Sequence, residues 1–261
     1  MPHAFVNGQR IYFEDSGGEG PPVILAHGFL MDQEMFAPQV SALCPEFRVI
    51  TWDERGFGRT EFDGKPFSYY DSANDCLALL DHLSIDHAVV GGMSQGGFLS
   101  LRAALTKPSR VTALLLFDTQ AGVEDAETLA GFQQMLDMWV SVGPVDDLAN
   151  AIATLILNDP KENERWIAKW RARPKELLAE PGRCLLTRDD ITDRLSHIVC
   201  PALVVHGTDD GAITMDRAEE LAAGLGDCRD LVRIEGAAHA ANLTHADRVN
   251  PPVLEFLRKV A

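Results

Sequence analysis

The sequence has few cysteines, and no two of them form a close pair. The five are Cys44, Cys76, Cys184, Cys200 and Cys228. An odd number of cysteines without a Cys-x-x-Cys pair is not typical of a disulfide framework or of a zinc site. We therefore expect reduced and buried thiols.

The sequence also lacks a long apolar segment and an excess of basic residues. No stretch approaches the ~18 continuous apolar residues that span a bilayer, and no basic and then apolar leader opens the chain. With 39 acidic and 23 basic residues, the formal net charge is -16, which disfavours nucleic acid and anionic membranes as partners. We expect a cytoplasmic protein that binds a small molecule.

Apolar runs alternate with segments of helical periodicity over most of the 261 residues. This pattern predicts an α/β fold in which helices connect parallel strands. Before it, Asn7-Gly8 lies between alternating apolar and polar residues and predicts a hairpin turn. The predicted strands after the hairpin are 22–27, 47–52, 88–92, 111–117, 201–206 and 230–235, and the predicted helices are 33–43, 71–83, 95–106, 216–224 and 246–260.

The strand pattern is interrupted once, between about residues 123 and 194. This segment has Trp139, Trp166 and Trp170 and several apolar stretches at helical spacing, but no clear strand. An insertion at the carboxyl ends of a parallel sheet lies over the crevice where open α/β sheets bind ligands. We predict a helical cap over residues 123–194 and one core domain from residues 1–122 and 195–261, with the tryptophans forming the small core of the cap.

The pentapeptide Gly92-Met-Ser-Gln-Gly96 lies between a predicted strand and a predicted helix. It matches the Gly-x-Ser-x-Gly motif, in which a sharp turn exposes the serine hydroxyl and requires small neighbours. A serine hydroxyl is a weak nucleophile until a general base takes its proton. In this context the motif predicts Ser94 as a nucleophile.

Two later segments supply the partners that Ser94 needs. His206-Gly-Thr-Asp-Asp210 and Gly236-Ala-Ala-His239 each follow a predicted strand, so their side chains meet at the carboxyl edge of the sheet. We predict His239 as the general base and Asp210 as the carboxylate that orients it. Asp209 and, more remotely, Asp118 are the alternatives, because the sequence does not show which carboxylate faces inward.

Serine hydrolysis also needs donors for the oxyanion. His27-Gly-Phe29 ends a predicted strand where this architecture provides one backbone N–H, and the residue after the nucleophile provides the other. We predict Phe29 and Gln95 as these donors and a structural hydrogen bond for His27. Asp53-Glu-Arg-Gly-Phe-Gly58 lacks the spacing of a dinucleotide loop, and no metal-ligand spacing occurs, so neither a cofactor nor a metal is predicted.

Together these motifs resemble the successive signatures of α/β-hydrolases over nearly the whole chain. The resemblance implies an α/β-hydrolase fold with a mostly parallel eight-stranded sheet, helices on both faces and a helical cap. It also implies a Ser-His-Asp triad that acts through an acyl-enzyme. In this family the acid commonly lies three residues after the strand-end glycine, which favours Asp210. The layout, including Asn242-Leu243 after His239, is most similar to the esterase and 3-oxoadipate enol-lactonase branch.

The resemblance implies cleavage of a small carboxylic ester or lactone. The alternatives are hydrolysis of a carbon–carbon bond and a ligand receptor on the same fold with slow turnover. Apolar cap residues indicate an apolar substrate group, whereas Arg165, Arg171 and Arg173 would favour a substrate carboxylate. The oligomeric state is open, with a homodimer as one option.

Overall fold

A computed structural model describes residues 3–261, so the first two residues of the predicted core lie outside it. Within these residues the strands are β1 (His3–Val6), β2 (Gln9–Asp15), β3 (Pro22–Ala26), β4 (Arg48–Trp52), β5 (Ala88–Met93), β6 (Val111–Phe117), β7 (Ala202–Gly207) and β8 (Cys228–Ile234). They form one eight-stranded sheet in the order β1-β2-β4-β3-β5-β6-β7-β8. The pairs β1–β2 and β2–β4 are antiparallel, and all later neighbours are parallel.

The helices connect these strands as the periodicity predicts. They are α1 (Ala37–Leu43), α2 (Tyr69–His82), α3 (Gln95–Thr106), α4 (Ala126–Val142), α5 (Asp146–Ile156), α6 (Pro160–Ala172), α7 (Ala179–Leu186), α8 (Met215–Gly224), α9 (Ala241–Thr244) and α10 (Ala246–Val260). The predicted helix over 33–43 is in fact a short 3₁₀-helix, Gln33–Phe36, followed by α1.

The predicted hairpin is present. Asn7 and Gly8 have φ of 46° and 75°, so both central residues of the turn have the positive φ that a two-residue hairpin requires. Val6 then pairs directly with Gln9. The turn therefore sets the register of β1 on β2.

The central strands are covered on both faces, as their continuous apolar runs predict. Every residue of β5 and of β7 is buried, whereas the edge strand β8 is mostly exposed or half-buried. Helices α2, α3 and α8 pack on one face of the sheet, and α1 and α10 pack on the other. The predicted α/β fold, with a mostly parallel eight-stranded sheet and helices on both faces, is confirmed.

Helices α4 to α7 lie in the segment between β6 and β7. Asp125 and Asp159 cap α4 and α6, since their carboxylates accept hydrogen bonds from the N–H groups of Thr128 and Glu162. Trp139, Trp166 and Trp170 are all buried, and the rings of Trp139 and Trp170 meet edge to face with centroids 5.7 Å apart. The boundaries of the cap, 123–194, stay a prediction. No helix in residues 3–261 is both long and apolar enough to cross a membrane.

Candidate active site

Ser94 occupies the sharp turn between β5 and α3. Its backbone has φ of 52° and ψ of -113°, a conformation that is strained for any residue with a side chain. Two bonds fix it there: Ser94 N–H donates to Phe117 O at 2.9 Å, and Thr119 Oγ1 donates to Ser94 O at 2.8 Å. A Cβ atom on Gly92 or Gly96 would collide with main-chain atoms, so these glycines are required by the turn.

His239 and Asp210 are in direct contact. His239 Nδ1 donates to Asp210 Oδ2 at 2.7 Å, while Asp210 Oδ1 accepts from the N–H groups of Ala212 and Ile213 at 2.8 and 2.9 Å. A carboxylate only accepts, so this bond puts the proton on Nδ1 and leaves Nε2 free to act as a base. Burial raises the pKa of Asp210, but the interactions with His239, and next those with His206 and the Ile213 N–H group, together hold that pKa below its usual value. Asp209 is exposed.

A second histidine also contacts the Asp210 carboxylate, and the motif analysis did not assign it a role. His206 Nε2 donates to Ile213 O at 2.8 Å and lies 3.3 Å from Asp210 Oδ2. Burial is the main cause that lowers the pKa of His206, although Asp210 acts against it, so the ring is neutral near pH 7. The only sequence signal was its place four residues before Asp210.

Asp118, the third candidate acid, ties two loops together. Its Oδ1 accepts from Gly207 N–H at 2.8 Å, and its Oδ2 accepts from Ala241 N–H at 3.1 Å. Burial, and next the charge of Asp210, raise the pKa of Asp118 well above its ordinary value. Ligand atoms of Asp118, His206 and Asp210 lie within 4.8 Å of one another, close enough to share a metal ion. Since these carboxylates and His206 Nε2 are already hydrogen-bonded within the protein, the group fits a structural network better.

The two predicted oxyanion donors lie at the ends of β3 and β5. Phe29 belongs to a turn in which Met31 N–H donates to Gly28 O at 3.0 Å, and Gln95 is the first residue of α3. Within residues 3–261, neither the Phe29 N–H nor the Gln95 N–H donates to a protein acceptor. The turn is held from the cap, because Trp170 Nε1 donates to Leu30 O at 2.7 Å.

His27 has the structural hydrogen bonds predicted for it. Its Nδ1 donates to Gly28 O at 2.8 Å, and its Nε2 accepts from Glu54 N–H at 3.0 Å. Burial lowers the pKa of His27 to about 4, so the ring is neutral near pH 7. It therefore joins the turn after β3 to the turn after β4.

Ser94, His239 and Phe29 line a single cavity of about 440 Å³. No direct hydrogen bond joins Ser94 to His239 in the part of the chain described, and such bonds commonly tighten only around bound substrate. Most of the wall is apolar and comes from the cap, with the residues Phe132, Met135, Leu148, Ala151, Ile152, Leu155, Ile156 and Leu185.

The cap arginines do not line this cavity. Arg165 pairs with Glu34 at 3.0 Å, Arg171 pairs with Asp146 at 2.5 Å, and Arg173 donates to Gly56 O. These contacts give the three guanidinium groups partners in the protein, and the lining of the cavity itself is mostly apolar.

A mostly parallel sheet with a serine at the sharp turn after a central strand is typical of α/β-class hydrolases. Residues 21–246 match the family model described as alpha/beta hydrolase fold, so the chain belongs to this family and is a hydrolase. The resemblance found in the motifs is confirmed.

Solved structures and a curated relative extend this result. The chain is 29% identical to a thermophilic esterase from Thermogutta terrifontis, with a TM-score of 0.89 over 99% of this chain and 97% of that one. It is 28% identical to the enol-lactonase from Burkholderia xenovorans LB400, with a TM-score of 0.90 over 98% and 100%. It is also 28% identical to the putative carbamate hydrolase RutD of Rhizobium rhizogenes, over 95% of this chain and 98% of that protein.

Proposed function

We propose that the protein cleaves a small, mainly apolar carboxylic ester or lactone through an acyl-enzyme, with Ser94, His239 and Asp210 as its triad. The observation that carries this proposal is the cavity itself. It brings a serine on a strained turn and a carboxylate-bound histidine to one apolar space of about 440 Å³. The esterase and the enol-lactonase among the similar structures support the same reaction class.

In the first half of the reaction, Ser94 Oγ attacks the carbonyl carbon while its proton passes to His239 Nε2. The carbonyl oxygen becomes an oxyanion, which the N–H groups of Phe29 and Gln95 stabilise. Asp210 stabilises the imidazolium that forms and keeps the ring in place. When the tetrahedral intermediate collapses, His239 gives its proton to the leaving oxygen, and the acyl group stays on Ser94.

In the second half, a water molecule takes the place of the leaving group. His239 Nε2 removes a proton from this water as its oxygen attacks the acyl carbon, and the same two N–H groups stabilise the second oxyanion. Collapse of this intermediate returns the proton to Ser94 Oγ and releases the carboxylic acid. A lactone follows the same steps, except that the alcohol and the acid are parts of one molecule, a hydroxy acid.

The test is hydrolysis of short p-nitrophenyl esters and of neutral lactones by the wild-type protein and by Ser94→Ala. Ser41→Ala is the matched control, since Ser41 is an exposed serine of α1. We expect turnover on the order of 1–10³ s⁻¹ that is retained in the control and lost in Ser94→Ala. Equal activity of Ser94→Ala and wild type would refute the serine mechanism, and turnover far below this range would favour the receptor alternative.

A further inference from the structure

One carboxylate interrupts the apolar wall of the cavity. Among the cavity-lining residues in the part of the chain described, Glu124 is the only acidic one. Its side chain is 11% exposed, and that of its partner Arg188 is 2% exposed. A buried ion pair of this kind adds little stability compared with apolar residues of similar size, so stability alone does not explain a carboxylate in this wall.

The hydrogen bonds of Glu124 leave part of its accepting capacity unused. Its Oε1 accepts from Gln120 Nε2 at 2.8 Å, and its Oε2 accepts from an Arg188 guanidinium nitrogen at 2.6 Å. An ionised carboxylate has about four lone-pair sites, so about two remain free. Glu124 lines the cavity, so a molecule inside it lies next to this carboxylate.

The groups behind Glu124 hold it in place. Arg188 donates to Leu185 O at 2.9 Å and to Gly122 O at 3.3 Å, and its guanidinium carbon lies 4.5 Å from the centroid of the Phe98 ring. Gln120 Oε1 and Arg188 Nε are buried and have no hydrogen-bond partner among the described residues. The cluster therefore has more hydrogen-bonding capacity than the protein itself satisfies.

We propose that Glu124 is a specificity subsite that accepts a hydrogen bond from a hydroxyl or N–H group of the substrate. This inference rests on the proposed function, because it concerns the cavity that contains Ser94. The preferred substrate is then an ester or lactone that is apolar apart from one donor group. A carboxylate at the same place is disfavoured, since it would face Glu124 with a like charge and without a proton to donate.

Matched substrates test this subsite. We would compare p-nitrophenyl butanoate, hexanoate and octanoate with their ω-hydroxy and ω-carboxylate analogues. A second series compares plain alkyl butanoates with ω-hydroxyalkyl butanoates, in which the donor lies on the alcohol side. An unpaired hydroxyl loses binding energy when it is buried in an apolar cavity. In the wild type we expect at least one hydroxy analogue to have a kcat/KM equal to or above that of its plain counterpart, and all carboxylate analogues to be poor substrates.

Glu124→Gln removes the charge at nearly constant shape, and Glu164→Gln is the matched control, an exposed carboxylate on α6. We expect Glu124→Gln to lower the hydroxy-to-plain ratio of kcat/KM by roughly tenfold to a hundredfold, the range for a hydrogen bond to a charged group. It should also raise the rate with the carboxylate analogues. The double variant Glu124→Gln, Arg188→Gln avoids an unpaired buried cation and should lower the same ratio.

The outcomes separate this inference from the proposed function. If the plain esters are hydrolysed in a Ser94-dependent way but every hydroxy analogue has a lower kcat/KM than its plain counterpart in the wild type, the subsite is refuted and the esterase proposal stands. An unchanged ratio in both Glu124 variants refutes it as well. Failure of the wild type to hydrolyse any of the plain esters and lactones would refute the proposed function first, and this inference with it.

Discussion

The bond between His239 and Asp210 makes a quantitative prediction for Asp210→Asn. Asn has nearly the same shape, but one of its two oxygens is replaced by an NH₂ group that only donates. Oδ1 already accepts two backbone N–H groups, from Ala212 and Ile213, so the amide oxygen of Asn takes that place. The NH₂ group then faces His239 Nδ1, which must become an acceptor.

The consequence for catalysis is the wrong tautomer of His239. With Nδ1 accepting, the ring proton moves to Nε2, which can no longer take the proton of Ser94. In serine proteases the corresponding Asp-to-Asn substitution lowers kcat about 10⁴-fold. We expect a fall of about 10³-fold to 10⁴-fold in kcat here. The KM should change little, because the substitution leaves the apolar walls of the cavity untouched.

The assay is steady-state hydrolysis of a p-nitrophenyl ester near pH 7 by wild type, Asp210→Asn and Asp209→Asn. Asp209 is the matched control, since the same change is made one residue away on an exposed side chain. We expect Asp209→Asn to stay within about twofold of wild type, as surface changes usually have small effects. An Asp210→Asn variant that keeps a tenth of the wild-type kcat, or an equal loss in Asp209→Asn, would refute the assignment.

Three further predictions concern stability. Ser94→Gly should be about 1 kcal/mol more stable than Ser94→Ala in urea unfolding, since both lack the hydroxyl but only glycine relieves the strain at φ 52°. Gly96→Ala should cost about 3 kcal/mol or more because its Cβ meets the main chain of Ala26, whereas Gly131→Ala, with open space around it in α4, should stabilise by about 0.5–1 kcal/mol. His27 has a pKa of about 4 in the folded protein against an ordinary 6.5. The stability that this neutral histidine contributes is therefore present above about pH 6.5 and is lost as the pH falls toward about 4. Over that window, the advantage of wild type over His27→Asn in the free energy of unfolding should shrink by about 3 kcal/mol.

Each of these has an outcome that contradicts it. Equal stability of the glycine and alanine variants at position 94 would show that the turn is not strained. A Gly96→Ala protein as stable as wild type would mean that the contact with Ala26 is not tight. A wild-type advantage over His27→Asn that does not change with pH would show that His27 titrates normally in the folded protein.

Much of the fold was predictable because strands buried on both faces need unbroken apolar runs. The strand predicted over 111–117 has the same bounds as β6, and the helices predicted over 95–106 and 246–260 have the same bounds as α3 and α10. The start of β8 at Cys228 was missed, because this edge strand is mostly exposed and carries charged residues that hide its pattern. The cap segment was predicted to be helical, but its division into α4 to α7 was not predicted.

Some residues of the site could likewise be predicted from the sequence, and others could not. Ser94 and His239 follow from motifs whose local structure is fixed by nearby residues, so the sequence alone points to them. The sequence left the choice between Asp209 and Asp210 open, because adjacent side chains on a loop point in different directions. Only the fold shows that Asp210 is buried against His239 while Asp209 is exposed.

The sequence by itself determined the order of strands and helices, the serine motif and the family, because each depends on residues close together in the chain or on regular spacing. The tertiary structure alone decided which distant groups meet. His239 contacts Asp210, Trp170 holds the turn that contains Phe29, and Glu124 lines the same cavity as Ser94. These contacts join segments that no local pattern connects, because they depend on how the strands align in the sheet and on how the helices between β6 and β7 pack over it.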